Sequence, residues 1–203
     1  DLHQLLSHFA YFYMGGAYTK TIFHERSSKK SFGEWLHPDM VGFYLPIKDW
    51  EPEILNLSMA SSSSIVTLYS FELKQQLSFQ NLRESFFQAV SNSSWANESY
   101  LVAARISEDS EFLSELKRLS SSFGVGIISL DVDDPGASKI LFQPTHKSEV
   151  DWETANKLAA ENPDFRRFVA DLKIDLEGKK IHPSEYDAVI KDAEEITKNI
   201  YKS

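Results

Sequence analysis

Glu72-Leu73-Lys74 places a carboxylate and an ammonium two residues apart at the end of an otherwise apolar run that begins at Ile65. In an extended strand that spacing puts both groups on one face. Charges at the end of a buried strand need a reason, because unpaired charge in apolar surroundings is costly. A second carboxylate, Asp39, follows Pro38 and opens another apolar run, Met40 to Leu45. If the two strands are neighbours, Asp39 and Glu72 converge on one point. Two carboxylates and a lysine suit hydrolysis of a phosphodiester with Mg²⁺. Carboxylate oxygens hold a hard cation, the cation activates water and offsets developing charge, and the ammonium steers that water. Taken singly, Glu-x-Lys is an ordinary surface ion pair and Pro-Asp an ordinary turn. The conjunction carries the reading: Pro-Asp opening one apolar strand, Glu-x-Lys closing the next, then a helix.

Other residues could join such a site, each with a blander alternative. Gln88 and Asn92 lie four apart, on one face of a helix that continues that far; the alternative is a polar helix end bonded to the next loop. His37, two residues before Asp39, could touch phosphate or a cation-bound water, or make a local hydrogen bond. Lys20, Arg26, Lys29 and Lys30 could hold a nucleic-acid backbone, or be a solvated hairpin. Trp35 and Trp95 are core aromatics or base-stacking platforms. His182-Pro183 reads as a helix start without chemistry. No phosphate-cradling Gly-rich loop, zinc spacing or Gly-x-Ser-x-Gly elbow occurs, which argues against NTPase, zinc-enzyme and α/β-hydrolase readings.

The elements that must position these groups follow from periodicity. Leu2, Leu5, Leu6, Phe9 and Tyr13 sit at helical spacing and Gly15-Gly16 ends that helix. Residues 17–24 and 40–45 read as strands, 46–64 as a loop, and 65–74 as the strongest strand in the chain. Ser78 is a candidate cap for a helix over 79–90. Strand 100–106, helix 110–121, strand 125–132, an Asp-Asp-Pro-Gly turn and a short strand 139–142 complete an α/β order with a mixed sheet. From about Ser148 the composition turns to charged helix formers. Asn162-Pro163 breaks the first tail helix, 165–175 forms a second, and Pro183 starts a third. Residues 1–147 are thus expected to form the site-bearing domain and 148–203 a helical appendage packed on it, too small for a core of its own.

The 203 residues contain no cysteine, so disulfides and thiolate-held metals are excluded, and a cytoplasmic location is expected. No apolar run approaches a membrane helix, and no membrane partner is expected. Sequons at Asn56, Asn92 and Asn97 lack a secretion signal. The net charge of −9 lowers the expectation of a DNA partner without forbidding it. Polyanions are held by local cationic surface, and the first thirty residues carry more basic than acidic groups. A chain that opens at Asp1 and runs straight into an amphipathic helix reads as a piece of a longer protein.

The order helix, strand, Pro-Asp strand, Glu-x-Lys strand, helix, strand resembles the αβββαβ core of the PD-(D/E)XK, or restriction-endonuclease-like, superfamily. The stretches Leu36-His37-Pro38-Asp39-Met40-Val41-Gly42, Phe71-Glu72-Leu73-Lys74 and Phe86-Phe87-Gln88-Ala89-Val90-Ser91-Asn92 also resemble the HrgA-type proteins of bacterial restriction–modification loci. Some of those carry an N-terminal winged-helix (HARE-type) domain. The similarity covers about residues 1–145. It implies an endodeoxyribonuclease dependent on Mg²⁺, with Mn²⁺ as substitute. Asp39 and Glu72 are then the metal ligands, Lys74 the catalytic lysine and Gln88 a further site residue. It also implies DNA as partner and an N-terminal DNA-binding domain outside this chain. Double-strand cutting with one site per chain suggests a homodimer.

The chain departs from the superfamily pattern in its first helix, where many members place another acid. Here Asp1 stands at the very start and the helix offers His3, Gln4 and His8; Glu25 and Glu34 are the nearest other acids. That departure motivates a second reading, a nuclease-fold module that binds DNA or protein without cleaving. A third is a scaffold whose acidic helical tail docks a partner subunit.

Overall fold

The computed structural model describes residues 2–27, 37–61, 64–92 and 94–201. Their elements run α1 (Leu2–Tyr13), β1 (Tyr18–Thr21), β2 (Met40–Tyr44), α2 (Pro52–Ala60), β3 (Thr67–Leu77), α3 (Leu82–Ser91), β4 (Glu98–Ile106), α4 (Ser110–Phe123), β5 (Gly126–Ser129), β6 (Lys139–Phe142), α5 (Trp152–Glu161), α6 (Pro163–Gly178) and α7 (Ala193–Ile200). The strands form one six-stranded sheet in the order β1-β2-β3-β4-β5-β6. β1, β2 and β3 pair antiparallel. β3, β4 and β5 are parallel, with α3 and α4 as crossovers, and β6 returns antiparallel. The architecture is α/β, a mixed sheet with helices on both faces.

Strand parity divides the core. Met40, Tyr69, Phe71, Tyr100, Val102 and Ile128 face the apolar side of α1, with Ile196 of α7 beside them. On the opposite face, Leu101, Ala103 and Ile127 pack under Phe86 of α3 and Phe112 and Leu116 of α4. Further along that face, Val41, Phe43, Leu45 and Leu68 pack under Leu158 of α5 and Phe165 and Phe168 of α6. Tail helices α5 and α6 thus close one of the three cores, and α7 contributes to a second.

The ends of elements follow local chemistry. Gly15 and Gly16, at φ +73° and +85°, end α1 in the left-handed region that other residues avoid. Asp109 caps α4 by accepting from the Phe112 amide, and Gly124 closes it at φ +70°. Asn162 caps α6, with Pro163 in its first turn.

Three expectations needed correction. The stretch 46–64, read as a loop from its prolines and acids, contains α2, which starts at Pro52 and is anchored by the buried Leu55 with Met59 packed beside it. The helix after β3 begins at Leu82, not Phe79. Asn81 instead ties the turn, accepting from the Ser78 amide and donating to the Gln76 carbonyl, and leaves Phe79 exposed. Pro183 opens only a one-turn 3₁₀ segment, and the third tail helix is α7, capped by Asp192.

Asn97 joins the tail to the sheet. Buried at 2% exposure, its Oδ1 accepts from the Leu68 amide and its Nδ2 donates to the Lys147 carbonyl, both at 2.8 Å. Asn97→Ala is expected to destabilise the fold by roughly 2–4 kcal/mol in urea unfolding, since it strands two backbone groups at about 1–3 kcal/mol each.

Candidate active site

Asp39 lies immediately before β2, and its backbone carbonyl accepts from the Ile22 amide just beyond β1. Met40 pairs with Phe71 in the antiparallel register, so Asp39 comes up against the Glu72–Leu73 segment of the central strand. Its Oδ2 accepts from the Leu73 amide at 2.8 Å. Its Oδ1 meets Nε2 of His24 at 3.1 Å, from the 3₁₀ turn His24–Arg26 that follows β1.

Glu72 is 2% exposed, on the β3 face that looks toward α3. Its Oε1 accepts from Lys74 Nζ at 3.0 Å and its Oε2 from Asn92 Nδ2 at 3.0 Å. Lys74 also donates to Gln88 Oε1 at 2.8 Å. Asn92 makes a further bond, at 3.1 Å, to the His37 carbonyl. Gln88 and Asn92 thus descend from the end of α3, one onto the lysine and one onto the glutamate. The structure brings together Asp39, Glu72, Lys74 and Gln88, with Asn92 as the fifth member.

Burial and neighbours push the two carboxylates apart in acidity. Burial, then the charge of Asp39, raise the Glu72 pKa to about 7, against the pull of Lys74 and Asn92. Burial also pushes Asp39 upward. The His24 and Leu73 hydrogen bonds, with the positive charges of His24 and Lys74, outweigh it and hold Asp39 below the usual carboxylate range. The same bond raises His24, although its burial works the other way. At neutral pH Asp39 is therefore ionised, and Glu72 sits near its midpoint.

The remaining candidates fall elsewhere. His37 is fully buried with neither ring nitrogen hydrogen-bonded, its Nε2 lies 3.9 Å from Glu161 of α5, and burial holds its pKa down. Lys20 donates to the Glu185 carbonyl and Arg26 pairs with Asp164, so both engage the tail. Trp95 is buried in the α5/α6 core against Phe165, and His8 bonds the Ile190 carbonyl. His182 bonds the buried Asp175. Asp1, Lys29, Lys30, Glu34 and Trp35 lie outside the described residues. His24 has no counterpart in the sequence reading. It falls in a stretch read as strand, and nothing local signals a partner fifteen residues away.

Among the described residues, no group of three or more His, Asp or Glu side chains is gathered closely enough to hold a metal ion. Mg²⁺ does not require such a cage, because it keeps several waters and is often held by one or two carboxylates together with substrate phosphates. Asp39 and Glu72 supply hard oxygen donors with spare lone pairs. Burial and the charge of Asp39 still outweigh Lys74 at Glu72, so a further cation there would relieve the repulsion between the two carboxylates. Carboxylate oxygens are the donor type that Mg²⁺ and Mn²⁺ take.

No described helix is long and apolar enough to cross a membrane. The chain matches no protein-family model, no curated protein and no solved structure.

Proposed function

We propose that this chain is a metal-dependent endodeoxyribonuclease with a restriction-endonuclease-like, PD-(D/E)XK core, acting in a bacterial restriction-type system. The observation that carries the reading is the buried Glu72 carboxylate, held between Lys74 and Asn92 and facing the charge of Asp39. A structural ion pair gains nothing from a second carboxylate placed to oppose it. A site built for a divalent cation and a phosphate does. The strand order, with a parallel β3-α3-β4 crossover behind the Glu-x-Lys strand, supports the same reading.

Asp39 and Glu72 would hold Mg²⁺, or Mn²⁺ in its place. The bound ion supplies water activation and charge neutralisation at the phosphate. Asp39 is kept ionised and oriented by His24 and the Leu73 amide. Lys74, fixed between Glu72 and Gln88, presents an ammonium to the attacking water and to the phosphate oxygens, where charge accumulates. Gln88 selects the lysine's position by occupying one of its three donors. DNA would reach this site with help from an N-terminal DNA-binding domain outside the chain, and cutting both strands would call for a homodimer.

Lys74→Ala is expected to lower cleavage of a supercoiled plasmid roughly 10²–10³-fold, the loss seen when one charge-stabilising donor is removed. Binding of the cation measured by calorimetry should survive. Full cleavage by both Asp39→Ala and Lys74→Ala proteins would sink the assignment. The second reading, a non-cleaving binding module on the same architecture, draws on α1, which carries His3, Gln4 and His8 but no acid. Calorimetry decides between them: a folded protein that binds neither Mg²⁺ nor Mn²⁺ at millimolar concentration is the module.

A further inference from the structure

His24 reaches Asp39 from the three-residue 3₁₀ turn His24–Arg26, whose capping position, Phe23, offers no side-chain cap. A turn this short has little rigidity of its own. Its position is set instead by the first turn of α6, more than 130 residues later in the chain. Asp164 Oδ2 accepts from the Phe23 amide at 3.2 Å, and Asn162 Nδ2 donates to the Phe23 carbonyl at 3.2 Å. Both sides of the residue preceding His24 are therefore held by α6. The same two side chains take the far end of the turn. Asn162 Nδ2 donates to Ser27 Oγ at 2.9 Å, and Asp164 Oδ1 receives Arg26 Nη1 at 2.7 Å.

These contacts exceed what holding a helix in place requires. Asn162 is fully buried and already caps α6 through Oδ1, which accepts from the Asp164 and Phe165 amides at 2.8 and 3.1 Å. Its amide nitrogen is committed entirely to the turn. Asp164, at 8% exposure, spends both oxygens there. Arg26 closes the assembly, with its guanidinium 4.8 Å from the Phe23 ring. One residue from this clamp, His24 Nε2 lies 3.1 Å from Asp39 Oδ1, the carboxylate oxygen that the Leu73 amide does not hold.

We propose that Asn162 and Asp164 are positioning residues of the active site: they clamp the Phe23–Ser27 turn so that His24 fixes the orientation of Asp39. The tail helices are then part of the catalytic apparatus and not a lid or a docking arm. Residues one step behind a metal ligand orient it, and losing them costs about 10–100-fold in metal affinity. The consequence for cation binding rests on the nuclease reading; the clamp on His24 does not.

Asn162→Asp separates the two roles. It keeps the capping oxygen of α6 but replaces the clamping nitrogen with an oxygen that faces the Phe23 carbonyl. Asp164→Asn is the conservative partner, keeping an acceptor for the Phe23 amide. The full chain, labelled with ¹⁵N-histidine, would be followed by imidazole ¹⁵N chemical shifts at fixed pH, by Mn²⁺ calorimetry and by thermal unfolding. In Asn162→Asp the expected result is loss of the hydrogen-bonded His24 Nε2 signal and at least a tenfold fall in Mn²⁺ affinity, with cooperative unfolding kept. Asp164→Asn should retain most of both signals. An unchanged His24 signal in a folded Asn162→Asp protein overturns the clamp, whatever happens to Mn²⁺. A changed His24 signal in a protein whose parent binds no Mn²⁺ upholds the clamp and removes the nuclease reading instead. Should Asn162→Asp fail to fold, Asp164→Ala, which leaves the cap intact, is read by the same criteria.

Discussion

Glu72→Gln is expected to stabilise the protein at pH 8 while abolishing DNA cleavage. The sign follows from linkage. The pKa of Glu72 stands at about 7 in the folded protein against an ordinary 4.5, so the folded state favours the protonated form. Its contribution is most favourable below pH 4.5 and declines as pH rises through about 7. Complete ionisation costs roughly 3 kcal/mol relative to the unfolded chain. Glutamine carries no charge at any pH and escapes that cost. It also loses one acceptor, so either Lys74 or Asn92 must turn to its other partner, Gln88 or the His37 carbonyl. A net gain of about 1–2 kcal/mol at pH 8 remains once that lost hydrogen bond is deducted.

Urea unfolding of both proteins at pH 5 and pH 8 checks this, because only the difference between them isolates Glu72. The two should be nearly equal at pH 5 and separate at pH 8, with the variant ahead. Millimolar Mg²⁺ should then raise the parent protein and leave the variant unmoved, since a ligand stabilises only the state that binds it. A variant less stable than the parent at pH 8 would mean that Glu72 is a structural ion-pair partner. The combination of higher stability and lost cleavage is the signature of a residue kept for chemistry against the interest of the fold.

Phe165→Ala is the second large effect, and it bears on the fold. Phe165 is fully buried, edge-on to Trp95 with ring centroids 5.0 Å apart, and adjoins Phe168, which contacts Phe43 on β2. Truncating a buried phenylalanine costs about 3–5 kcal/mol. In a chain of this size that lowers the melting temperature by about 10 °C, at 2–4 °C per kcal/mol. Circular dichroism melting measures it. The companion experiment ends the chain after residue 147, which uncovers Val41, Phe43, Leu45 and Trp95 together. Such a truncated protein should aggregate or unfold. A monomeric 1–147 fragment with cooperative unfolding would show that residues 1–147 hold their fold without these helices.

Local signals in the chain foresaw most of the elements. The period-two pattern around Glu72, the glycine pair after α1 and the Asn-Pro start of α6 each act over a few residues, where sterics and capping dominate. α2 was hidden because the prolines and acids around its start and the serine run after it read as loop, while Leu55 and Met59 draw it onto the core. The start of α3 shifted because Asn81 offered the backbone a competing turn. Composition pointed to a helical tail packed on the sheet domain, but which core residues it covers, Val41, Phe43, Leu45 and Trp95, leaves no local mark in the chain.

The same division runs through the site. By itself the sequence determined that Glu72 and Lys74 share a face of a strand and that Asp39 opens a second strand, and it set Gln88 and Asn92 one turn apart on condition that the helix reached that far. Backbone period dictates those relations whatever the fold. Only the tertiary structure decided that β2 and β3 pair in the register that brings Asp39 against the Leu73 amide, and that α3 delivers Gln88 to Lys74 and Asn92 to Glu72. It alone decided that His24, clamped from α6, meets the other oxygen of Asp39. The acidity of Glu72 belongs to the same class. Desolvation and the field of neighbouring charges set it, and both are properties of three-dimensional proximity that no spacing along the chain encodes.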